Sequence, residues 1–394
     1  MLIAGEASGD TLAAELVGAL RAKVLERDSE PTDAVQPLRT ALAPQFFGAG
    51  GPKMAAAGVE LAFDLVQHSV LGFSDVLANL RKFRRLFHEL LALAIEKQPE
   101  VIIGVDYGGF NLRFAKAIKE YVRQHHSEFT PWNPKLVQFV SPQVWASRPG
   151  RARVLEKTHD LLLSIFPFEK EWYAARAPHL RVEFVGNPII GRFPALNPKS
   201  DVQSSAPRVV LLPGSRWDEV RRHWPVVTGA FELLRLKLPA LRARLILPSE
   251  DLARATKALG VPKDLAIQIG GVSAALAEAD LAITKSGTIT LECAFFGVPA
   301  VVFYKTSWPT YWIAKRLITV NYAAMPNLLA HEELFPEFIQ VAATPENVAN
   351  AAFSLLHNGT RHLEIKMKLA QVVTTLGPPG APQRAAGAIV SLLR

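Results

Sequence analysis

The sequence predicts an α/β protein built from two Rossmann-like, doubly wound domains that face a cleft. Three observations lead to this fold class. Short apolar runs alternate with helical stretches, many of these runs are unbroken as in buried parallel strands, and the alternation restarts after a polar segment near the middle. In such sheets ligands bind beyond the carboxyl ends of the strands, so the loops that follow the strands are the candidate sites.

The first half of the chain begins with a short strand and an amphipathic helix. Residues 2–4 form the strand, and Leu12, Leu16, Leu20 and Val24 recur at helical spacing behind it. Four unbroken apolar runs follow and predict strands at 101–105, 136–140, 161–165 and 182–185. Because unbroken runs suit strands that are covered on both faces, they indicate a parallel sheet.

A polar segment separates the two halves. Residues 197–207 carry a proline near each end, which is typical of a linker or boundary loop. The alternation then restarts, with predicted strands at 209–212, 245–247, 267–269, 281–284 and 300–304. We therefore predict a first domain at 1–190 and a second at 191–360, followed by C-terminal helices at 361–394 that can pack back on the first domain.

Composition and charge exclude several classes of protein. With 394 residues, 49% hydrophobic and 20% charged, the chain is neither disordered nor fibrous. The single cysteine, Cys293, excludes an intrachain disulfide framework and a cysteine-based zinc cluster, and its apolar helix predicts a core position. The net charge of +8 favours phosphate-rich partners such as nucleotides, nucleic acids or anionic lipids.

The sequence also bears on the location of the protein. No apolar run reaches the ~18–20 residues of a membrane-spanning helix. Glu6 and Asp10 interrupt the start of the chain and argue against a signal peptide. We therefore expect a protein that is soluble or peripheral at the cytoplasmic face of a membrane.

Two loops of the first domain are candidate parts of an active site. The loop that contains Glu6, Ser8 and Gly9 starts a helix whose free N–H groups can bind an anion. The alternative is an ordinary turn with a capping serine. Asp106 follows a predicted strand, where its carboxylate can act as a general base. The alternative for Asp106 is a cap of the next helix.

Two glycine turns of the second domain are predicted to bind a diphosphate, because a helix N-terminus presents free N–H groups to an anion. The first turn contains Gly214, Ser215 and Arg216, and the second contains Ser286, Gly287 and Thr288. Arg216 adds a guanidinium that can pair with phosphate, and a solvated surface arginine is the alternative. Glu292 lies one helical turn beyond Thr288, where its carboxylate can accept two ribose hydroxyls.

The sequence lacks the usual spacings of metal ligands and of two common catalytic motifs. The ten histidines show neither HExxH nor HxxxH, and no Asp-x-Asp is present to hold a metal at a diphosphate. His125 and His126 fall in a polar stretch and predict a solvated loop. No nucleophile elbow or Walker motif occurs. We therefore expect no metal and no cofactor.

A basic amphipathic helix is predicted at 80–94. Its apolar stripe includes Phe83, Phe87, Leu90 and Leu91. Its basic residues, which lie largely off that stripe, are Arg81, Lys82, Arg84 and Arg85. Such a helix can lie on an anionic membrane, so Phe83, Phe87 and the basic residues are candidate membrane contacts. The alternative is a helix that packs its stripe on the sheet.

The motifs of the chain, and their order along it, resemble those of the lipid-A-disaccharide synthases. These are nucleotide-sugar glycosyltransferases of the two-domain GT-B architecture. The resemblance runs nearly from end to end. It rests on AGEASGD at 4–10, GAGGPKM at 48–54, VLGFSDVL at 70–77, VDYGGFN at 105–111, SPQVWASR at 141–148, FPFEK at 166–170, LPGSRWDEV at 212–220, SGTITLE at 286–292 and MPNLLA at 325–330.

The resemblance implies an inverting glycosyltransferase. It would move 2,3-diacylglucosamine from its UDP conjugate to 2,3-diacylglucosamine 1-phosphate, giving the β-1,6-linked disaccharide 1-phosphate and UDP. An α-linked donor and a β-linked product imply one displacement, which needs one base and positive charge at the leaving UDP. Because both substrates carry acyl chains, the resemblance also implies attachment to an anionic membrane surface, at the inner face of the bacterial inner membrane. An oligomer is compatible with it.

The resemblance assigns roles to single residues. Asp106 matches the candidate general base. Glu6 matches a carboxylate of the N-terminal glycine loop and is the second candidate catalytic residue. Positions matched to UDP binding or the active site are Arg216, Glu292 and Asn327. Ser8 and Gly9 are the candidate contacts of the acceptor or its phosphate.

Two places depart from the family pattern. Gly108 and Gly109 stand where the family often has a proline and a second aspartate. Asn187 stands where a histidine often follows the glycine of a Gly-His-Pro motif. Neither departure removes Asp106, so the implied reaction keeps its base.

Two other classes of function remain open on the sequence. One is a related two-domain enzyme, such as a UDP-N-acetylglucosamine 2-epimerase or a peptidoglycan glycosyltransferase. The other is a non-catalytic binder of membranes or nucleic acid, which the net charge of +8 would suit. The charges are dispersed, and no RNP, zinc-finger or helix-turn-helix signature occurs, so no nucleic acid is expected as a partner.

Overall fold

The chain divides into two units. The computed structural model describes residues 1–29, 44–69, 76–127, 129, 131–193 and 206–393. One unit comprises Met1–Ile190 with Leu376–Arg394, and the other comprises Gly191–Thr375. The return to the first unit therefore comes at residue 376, whereas the sequence predicts a boundary at 360. The predicted linker at 197–207 and the motif at 70–77 lie mostly outside the described residues.

A seven-stranded sheet forms the centre of the first unit. Its strands are β1 (Leu2–Ala4), β2 (Phe47–Gly50), β3 (Glu60–Asp64), β4 (Val101–Val105), β5 (Lys135–Phe139), β6 (Leu161–Ser164) and β7 (Val182–Phe184). Their order is β3-β2-β1-β4-β5-β6-β7, and neighbouring strands pair in parallel. The order changes direction between β1 and β4, which makes this the topological switch point of the sheet.

Helices cover both faces of this sheet. They are α1 (Ala7–Ser29), α2 (Pro52–Ala56), α3 (Leu65–Ser69), α4 (Val76–Lys97), α5 (Gly108–His125), α6 (Val144–Ser147), α7 (Ala152–Thr158) and α8 (Glu169–Ala174). Leu2 and Ala4 of β1 join the apolar cluster that contains α1. Met1 and Ile3 join the opposite cluster, which contains α5. This alternation is the two-residue period of a strand buried on both faces.

The second unit repeats the plan with six strands. They are β8 (Arg208–Leu212), β9 (Arg242–Leu247), β10 (Ala266–Ile269), β11 (Leu281–Lys285), β12 (Ala300–Tyr304) and β13 (Glu337–Ile339). Their order is β10-β9-β8-β11-β12-β13, again with parallel neighbours. The switch point lies between β8 and β11.

The helices of the second unit build one large apolar core with this sheet. They are α9 (Trp217–Lys237), α10 (Glu250–Lys257), α11 (Val272–Glu278), α12 (Ile289–Phe295), α13 (Trp308–Leu317), α14 (Met325–Ala330), α15 (Pro345–His357) and α16 (Gly359–Thr375). Cys293 of α12 is fully buried in this core, as predicted.

The last helix returns to the first unit. α17 (Ala381–Ser391) packs against α1. Its buried side chains in the α1 cluster include Ala385, Ala386, Ile389 and Val390. Arg384 Nε donates to the Val185 carbonyl at 2.8 Å, which ties the helix to the segment after β7. The first unit is therefore built from two distant parts of the chain.

The structure confirms the two doubly wound α/β sheets. All ten predicted strands are present, and the structure adds β2, β3 and β13, which the apolar pattern does not predict. β2 contains two glycines, while β3 and β13 are edge strands with partly exposed side chains, so none forms an unbroken apolar run. Within the described ranges, no helix is both long and apolar enough to span a bilayer.

Candidate functional site

The switch point of the first sheet brings Asp106 beside the loop at 4–10. Ala4 and Val105 are register partners, so β1 and β4 end side by side. Ser8 Oγ donates a hydrogen bond of 3.1 Å to Asp106 Oδ2. A Cβ at Gly9 would lie 3.2 Å from the Val105 carbonyl oxygen and 3.3 Å from Asp106 Cβ, so a glycine lets the helix start approach this closely.

The backbone of Asp106 is fixed in an unusual conformation. Its φ is +52°, and that of Tyr107 is +41°, both in the left-handed region. Such a conformation costs about 1–3 kcal/mol in a non-glycine residue. Three hydrogen bonds hold it: the Asp106 carbonyl accepts from Asn111 Nδ2 at 2.9 Å and Gln138 Nε2 at 2.8 Å, and the Asp106 N–H donates to the Phe139 carbonyl at 2.7 Å.

The capping alternative for Asp106 does not hold. The residue before α5 is Tyr107, and no side chain caps that helix. The Asp106 carboxylate instead contacts Ser8 of the other loop. The three hydrogen bonds to the Asp106 backbone, which form a clamp, therefore hold its carboxylate at the strand end. This carboxylate does not cap α5.

An open depression of about 280 Å³ lies next to Asp106. Its lining includes Asp106, Gly109, Leu112, Pro142, Arg148 and Arg151. A Cβ at Gly109 would meet no atom within 4 Å, so the position where the family often has an aspartate is open space here. The departure at Gly109 enlarges the depression and leaves Asp106 as the carboxylate among its lining residues.

The second departure, Asn187, has a structural role. It is buried, its Oδ1 accepts from the Ile189 N–H at 3.1 Å, and its own N–H donates to the Leu376 carbonyl at 2.8 Å. These bonds shape the turn after β7 and join it to the segment that leads into α17. Asn187 thus supports the fold of the first unit.

Glu6 and Tyr107 lie at the same strand ends. Burial, followed by the charge of Glu6, raises the pKa of Tyr107. The Tyr107 ring stacks on Phe110 and covers Gly5, where a Cβ would lie 2.3 Å from the ring. Gly5 is therefore needed for this contact, and Glu6 stands within electrostatic range of the loop that carries Asp106.

Asp10, the last residue of the AGEASGD motif, is a buried anchor. Its Oδ1 accepts from the Gly51 N–H at 2.9 Å and the Met54 N–H at 3.0 Å. Its Oδ2 accepts from the Lys53 N–H at 3.0 Å. The carboxylate thus holds the first turn of α2 and joins the AGEASGD and GAGGPKM motifs, which the sequence alone does not connect.

The apolar stripe of α4 faces the core, which corrects the prediction that it contacts a membrane. Leu90 is fully buried, and Phe83 and Phe87 pack against the same cluster. The Phe87 ring meets those of Phe110 and Phe114 edge-on at 5.5 and 5.8 Å. The helix buries this stripe because the sheet beneath it is apolar. The basic residues Arg81, Lys82, Arg84 and Arg85 are exposed.

The switch point of the second sheet joins the two predicted diphosphate turns. Leu212 and Thr284 are register partners, so both turns start at the same edge. A carboxylate that the sequence analysis missed bridges them: Glu219 Oε2 accepts from the Ser215 N–H at 3.1 Å, and Oε1 pairs with Lys285 Nζ at 2.9 Å. Burial opposes ionisation of Glu219, yet Lys285 and the Ser215 bond outweigh it and hold the pKa of this carboxyl below its ordinary value.

The other residues of the two predicted diphosphate turns lie at the same edge of the second sheet. Gly214 and Gly287 both have φ of +142°, and the side chains of Arg216 and Thr288 are exposed. Ser286 Oγ donates to the Ala323 carbonyl at 2.7 Å, so this hydroxyl shapes a neighbouring loop.

Glu292 is a half-buried carboxylate close to these turns. Burial raises its pKa, and the charge of Arg192 opposes that shift. Within the part of the chain that the structure describes, its carboxylate accepts no hydrogen bond. Two hydroxyls of a ligand could therefore satisfy it.

The side chain of Asn327, a predicted UDP contact, faces the interior of the protein. It is fully buried, and its Oδ1 accepts from the Leu334 and Phe335 N–H groups at 3.0 and 2.8 Å. Its Nδ2 donates to the Phe335 carbonyl at 2.7 Å and to Glu337 Oε1 at 2.8 Å. Since all its hydrogen-bonding capacity is used inside the protein, Asn327 positions a loop.

One exposed apolar surface was not predicted. No residue of α13 is buried, and Trp308, Trp312 and Ile313 are 53%, 56% and 61% exposed. Lys315 and Arg316 occupy its last turn. No cluster of three or more potential metal ligands occurs among the described residues.

Comparisons with known proteins agree with the fold and with the motifs. The profile of the family described as lipid-A-disaccharide synthetase matches residues 1–388. The chain is 34% identical over 403 residues to a lipid-A-disaccharide synthase of Myxococcus xanthus, covering 100% of this chain and 97% of that one. It is 35% identical to that of Alkalilimnicola ehrlichii, with coverage of 99% and 97%.

Solved structures show the same fold at low identity. The calicheamicin glycosyltransferase CalG4 matches with a TM-score of 0.57 at 13% identity, over 100% of this chain and 96% of that one. A UDP-GlcNAc 2-epimerase from Neisseria meningitidis bound to UDP-GlcNAc matches with a TM-score of 0.55 at 12% identity, over 97% and 96%. At these identities the likeness concerns the fold alone.

Proposed function

The chain belongs to the lipid-A-disaccharide synthetase family, and from that premise we propose how its own residues carry out the reaction. It is a GT-B glycosyltransferase that moves 2,3-diacylglucosamine from the UDP conjugate to 2,3-diacylglucosamine 1-phosphate, with the β-1,6-linked disaccharide 1-phosphate and UDP as products. Purified protein mixed with both substrates should yield the disaccharide and UDP. Unacylated UDP-N-acetylglucosamine turned over in their place would favour an epimerase.

Asp106 is the general base of the proposed mechanism. The observation that carries it is the position of this carboxylate at the switch point, with a clamped backbone and a bond from Ser8 to Oδ2. Oδ1 then takes the proton of the acceptor 6-hydroxyl as O6 attacks the anomeric carbon and the bond to UDP breaks. One displacement of this kind converts an α-linked donor into a β-linked product. Glu6 is a second carboxylate of the proposed active site, at the same strand ends as Asp106.

The UDP group binds at the switch point of the second unit in this proposal. The turns at 213–216 and 286–288 present N–H groups, and Arg216 supplies a guanidinium to the diphosphate. Glu292 accepts the ribose hydroxyls. Glu219 and Lys285 hold the first turn in place. Charge that develops on UDP as it leaves is stabilised by these donors.

Arg216→Ala is expected to weaken UDP binding by about 1.5–3 kcal/mol, or roughly 10- to 150-fold, the range for a hydrogen bond to a charged group. Titration calorimetry with UDP measures it. Arg221→Ala is the matched control, because Arg221 is exposed in the helix that follows Arg216 and, among the described residues, pairs with Asp218 at 3.9 Å. Equal UDP affinity in parent and Arg216→Ala, or UDP found elsewhere in a soaked crystal, contradicts the assignment.

The reaction is expected to need no metal, because Arg216 and helix N-termini can neutralise the leaving diphosphate. Activity in EDTA should equal activity in added Mg²⁺ or Mn²⁺. Activity that disappears in EDTA and returns with either ion would refute this expectation.

Contact with an anionic membrane rests on two exposed surfaces in the proposal. The four basic residues of α4 can meet lipid phosphates, each contributing ~1 kcal/mol near the surface. The aromatic side chains of α13 suit the boundary between headgroups and acyl chains. We place the protein peripherally at the inner face of the inner membrane, where both acylated substrates reside.

Co-sedimentation with anionic vesicles at low and high salt separates the two contributions. Replacing Arg81, Lys82, Arg84 and Arg85 with Glu should remove the salt-sensitive part of binding, since surface charges are screened at high salt. Trp308→Ser with Trp312→Ser should remove the salt-resistant part. Leu236→Ser, at an 80% exposed leucine elsewhere, is the control. If the α4 variant and the α13 variant both sediment with vesicles as the parent does, neither surface anchors the protein.

A further inference from the structure

Three arginines lie in or near the depression beside Asp106. Arg148 and Arg151 line it together with Asp106. Arg113, on α5, lies close by: burial first, and then the charges of Arg148 and Arg113, lower the pKa of Arg151. Within the described ranges, none of the three guanidiniums makes a hydrogen bond or an ion pair. By contrast, Arg181 of the same unit pairs with Glu183 at 2.7 Å.

The segment that carries Arg148 and Arg151 is anchored firmly to the core. Trp145 Nε1 donates to Glu169 Oε1 at 2.9 Å. The buried Glu169 carboxylate also accepts from the Ile165 and Phe166 N–H groups at 3.2 and 3.1 Å. Tyr173 Oη donates to the Pro142 carbonyl at 3.0 Å. The two arginines therefore extend from a preorganised support, which reduces the entropy lost on binding.

Like charges held close together repel one another, and no ion pair within the described ranges neutralises these arginines, so the cluster favours an anion. A phosphate monoester is a close match, because guanidinium forks bind phosphate oxygens through paired N–H donors. The acceptor offers such a group at C1. Its reacting hydroxyl is on C6, which is attached to C5, and C5 is joined to C1 through the ring oxygen. One molecule can therefore place O6 at Asp106 and its phosphate within the same depression.

We propose that Arg148 and Arg151, with Arg113 beside them, bind the 1-phosphate of the acceptor. The assignment rests on the proposed role of Asp106 and replaces Ser8 and Gly9, which the sequence suggested as the phosphate contacts. The Ser8 hydroxyl already donates to Asp106, and the Asp106 carboxylate next to it would repel a phosphate dianion. The arginine cluster meets the phosphate with the opposite charge.

The double variant Arg148→Gln with Arg151→Gln tests this assignment. Its kcat/KM for the phosphorylated acceptor should fall by about 10²-fold, mostly through KM, because each lost charged hydrogen bond is worth roughly 10-fold or more. With 2,3-diacylglucosamine that lacks the phosphate, parent and double variant should react equally slowly. Arg153→Gln is the matched control, since Arg153 is exposed two residues beyond Arg151 and does not line the depression. UDP affinity should not change.

Two results overturn the proposal. One is an equal loss of kcat/KM on both acceptors in the double variant. The other is a normal KM of the double variant for the phosphorylated acceptor in detergent micelles. If that normal KM comes with lost binding to phosphatidylglycerol vesicles, the arginines serve bilayer phosphates instead.

A binding experiment tests the phosphate site independently of the proposed catalytic role of Asp106. Soluble glucosamine 1-phosphate is titrated against parent and double variant, with glucosamine as the uncharged comparison. Binding of the phosphorylated sugar by the parent, reduced at least 10-fold in the variant, supports the phosphate site even if Asp106 proves not to be the base. Equal affinity in both proteins refutes the proposed phosphate site but does not bear on the proposed role of Asp106.

Discussion

Replacing Asp106 with Asn is expected to lower turnover by about 10²-fold or more and to leave UDP affinity nearly unchanged. The amide keeps the size of the side chain, and its oxygen can still accept the Ser8 hydroxyl that lies 3.1 Å from Oδ2. What it cannot do is accept the proton of the acceptor hydroxyl. UDP contacts in the proposal come from the second unit, so calorimetry with UDP should give equal affinities.

Ser8→Ala provides the comparison for this experiment. It removes the hydrogen bond to Asp106 but leaves the carboxylate, so a loss of about 10-fold or less is expected. Near-normal turnover of Asp106→Asn would show that another group is the base. A parallel loss of UDP affinity would instead indicate a change of structure.

Asp10→Ala is expected to destabilise the first unit by about 2–4 kcal/mol, because a buried carboxylate that accepts three N–H groups is removed. The bonds to Gly51, Lys53 and Met54 are each 2.9 or 3.0 Å long. Scanning calorimetry measures the effect on the transition of the first unit, and amide exchange at 51–54 localises it. UDP binding should persist, since the second unit keeps its own core.

Asp64→Ala is the control for Asp10. Asp64 accepts one N–H, that of Gln67 at 3.0 Å, in an exposed turn. A cap of this kind is worth about 1 kcal/mol. Equal destabilisation by the two variants would mean that the buried clamp is no stronger than a surface cap.

The sequence predicted the fold well where strands are buried on both faces. The run at 101–105 is unbroken and apolar because β4 lies in the middle of its sheet. β2 escaped notice because Gly48 and Gly50 occupy it: a Cβ at Gly48 would lie 1.9 Å from the Leu2 carbonyl oxygen. At Gly48 the close approach of a neighbouring backbone, and not hydrophobicity, determines the residue, and at Gly50 a Cβ would lie 2.1 Å from Met54 Sδ, so an apolar pattern cannot reveal this strand.

The candidate site was predicted only in part. Asp106 could be located from the end of its strand, but the clamp from Asn111 and Gln138 involves partners 5 and 32 residues away that no local pattern connects. Asn327 matched a position linked to UDP or the active site, yet its burial makes it a support. The pair Glu219 and Lys285 spans 66 residues, and the charged Lys285 at the end of a buried strand was the available signal.

The return of α17 to the first unit bears on how the protein is made. The helix α1 is synthesised early, but Ala385 and Ile389, which complete its cluster, emerge almost the whole chain later. At roughly 5–20 residues per second, the 191 residues from Ile190 to Ala381 take about 10–40 s to translate. During that interval the apolar side chains of α1 lack the cover that α17 later provides, whereas the second unit can fold as an uninterrupted segment. We therefore expect the second unit to reach its native state on the ribosome before the first unit is complete.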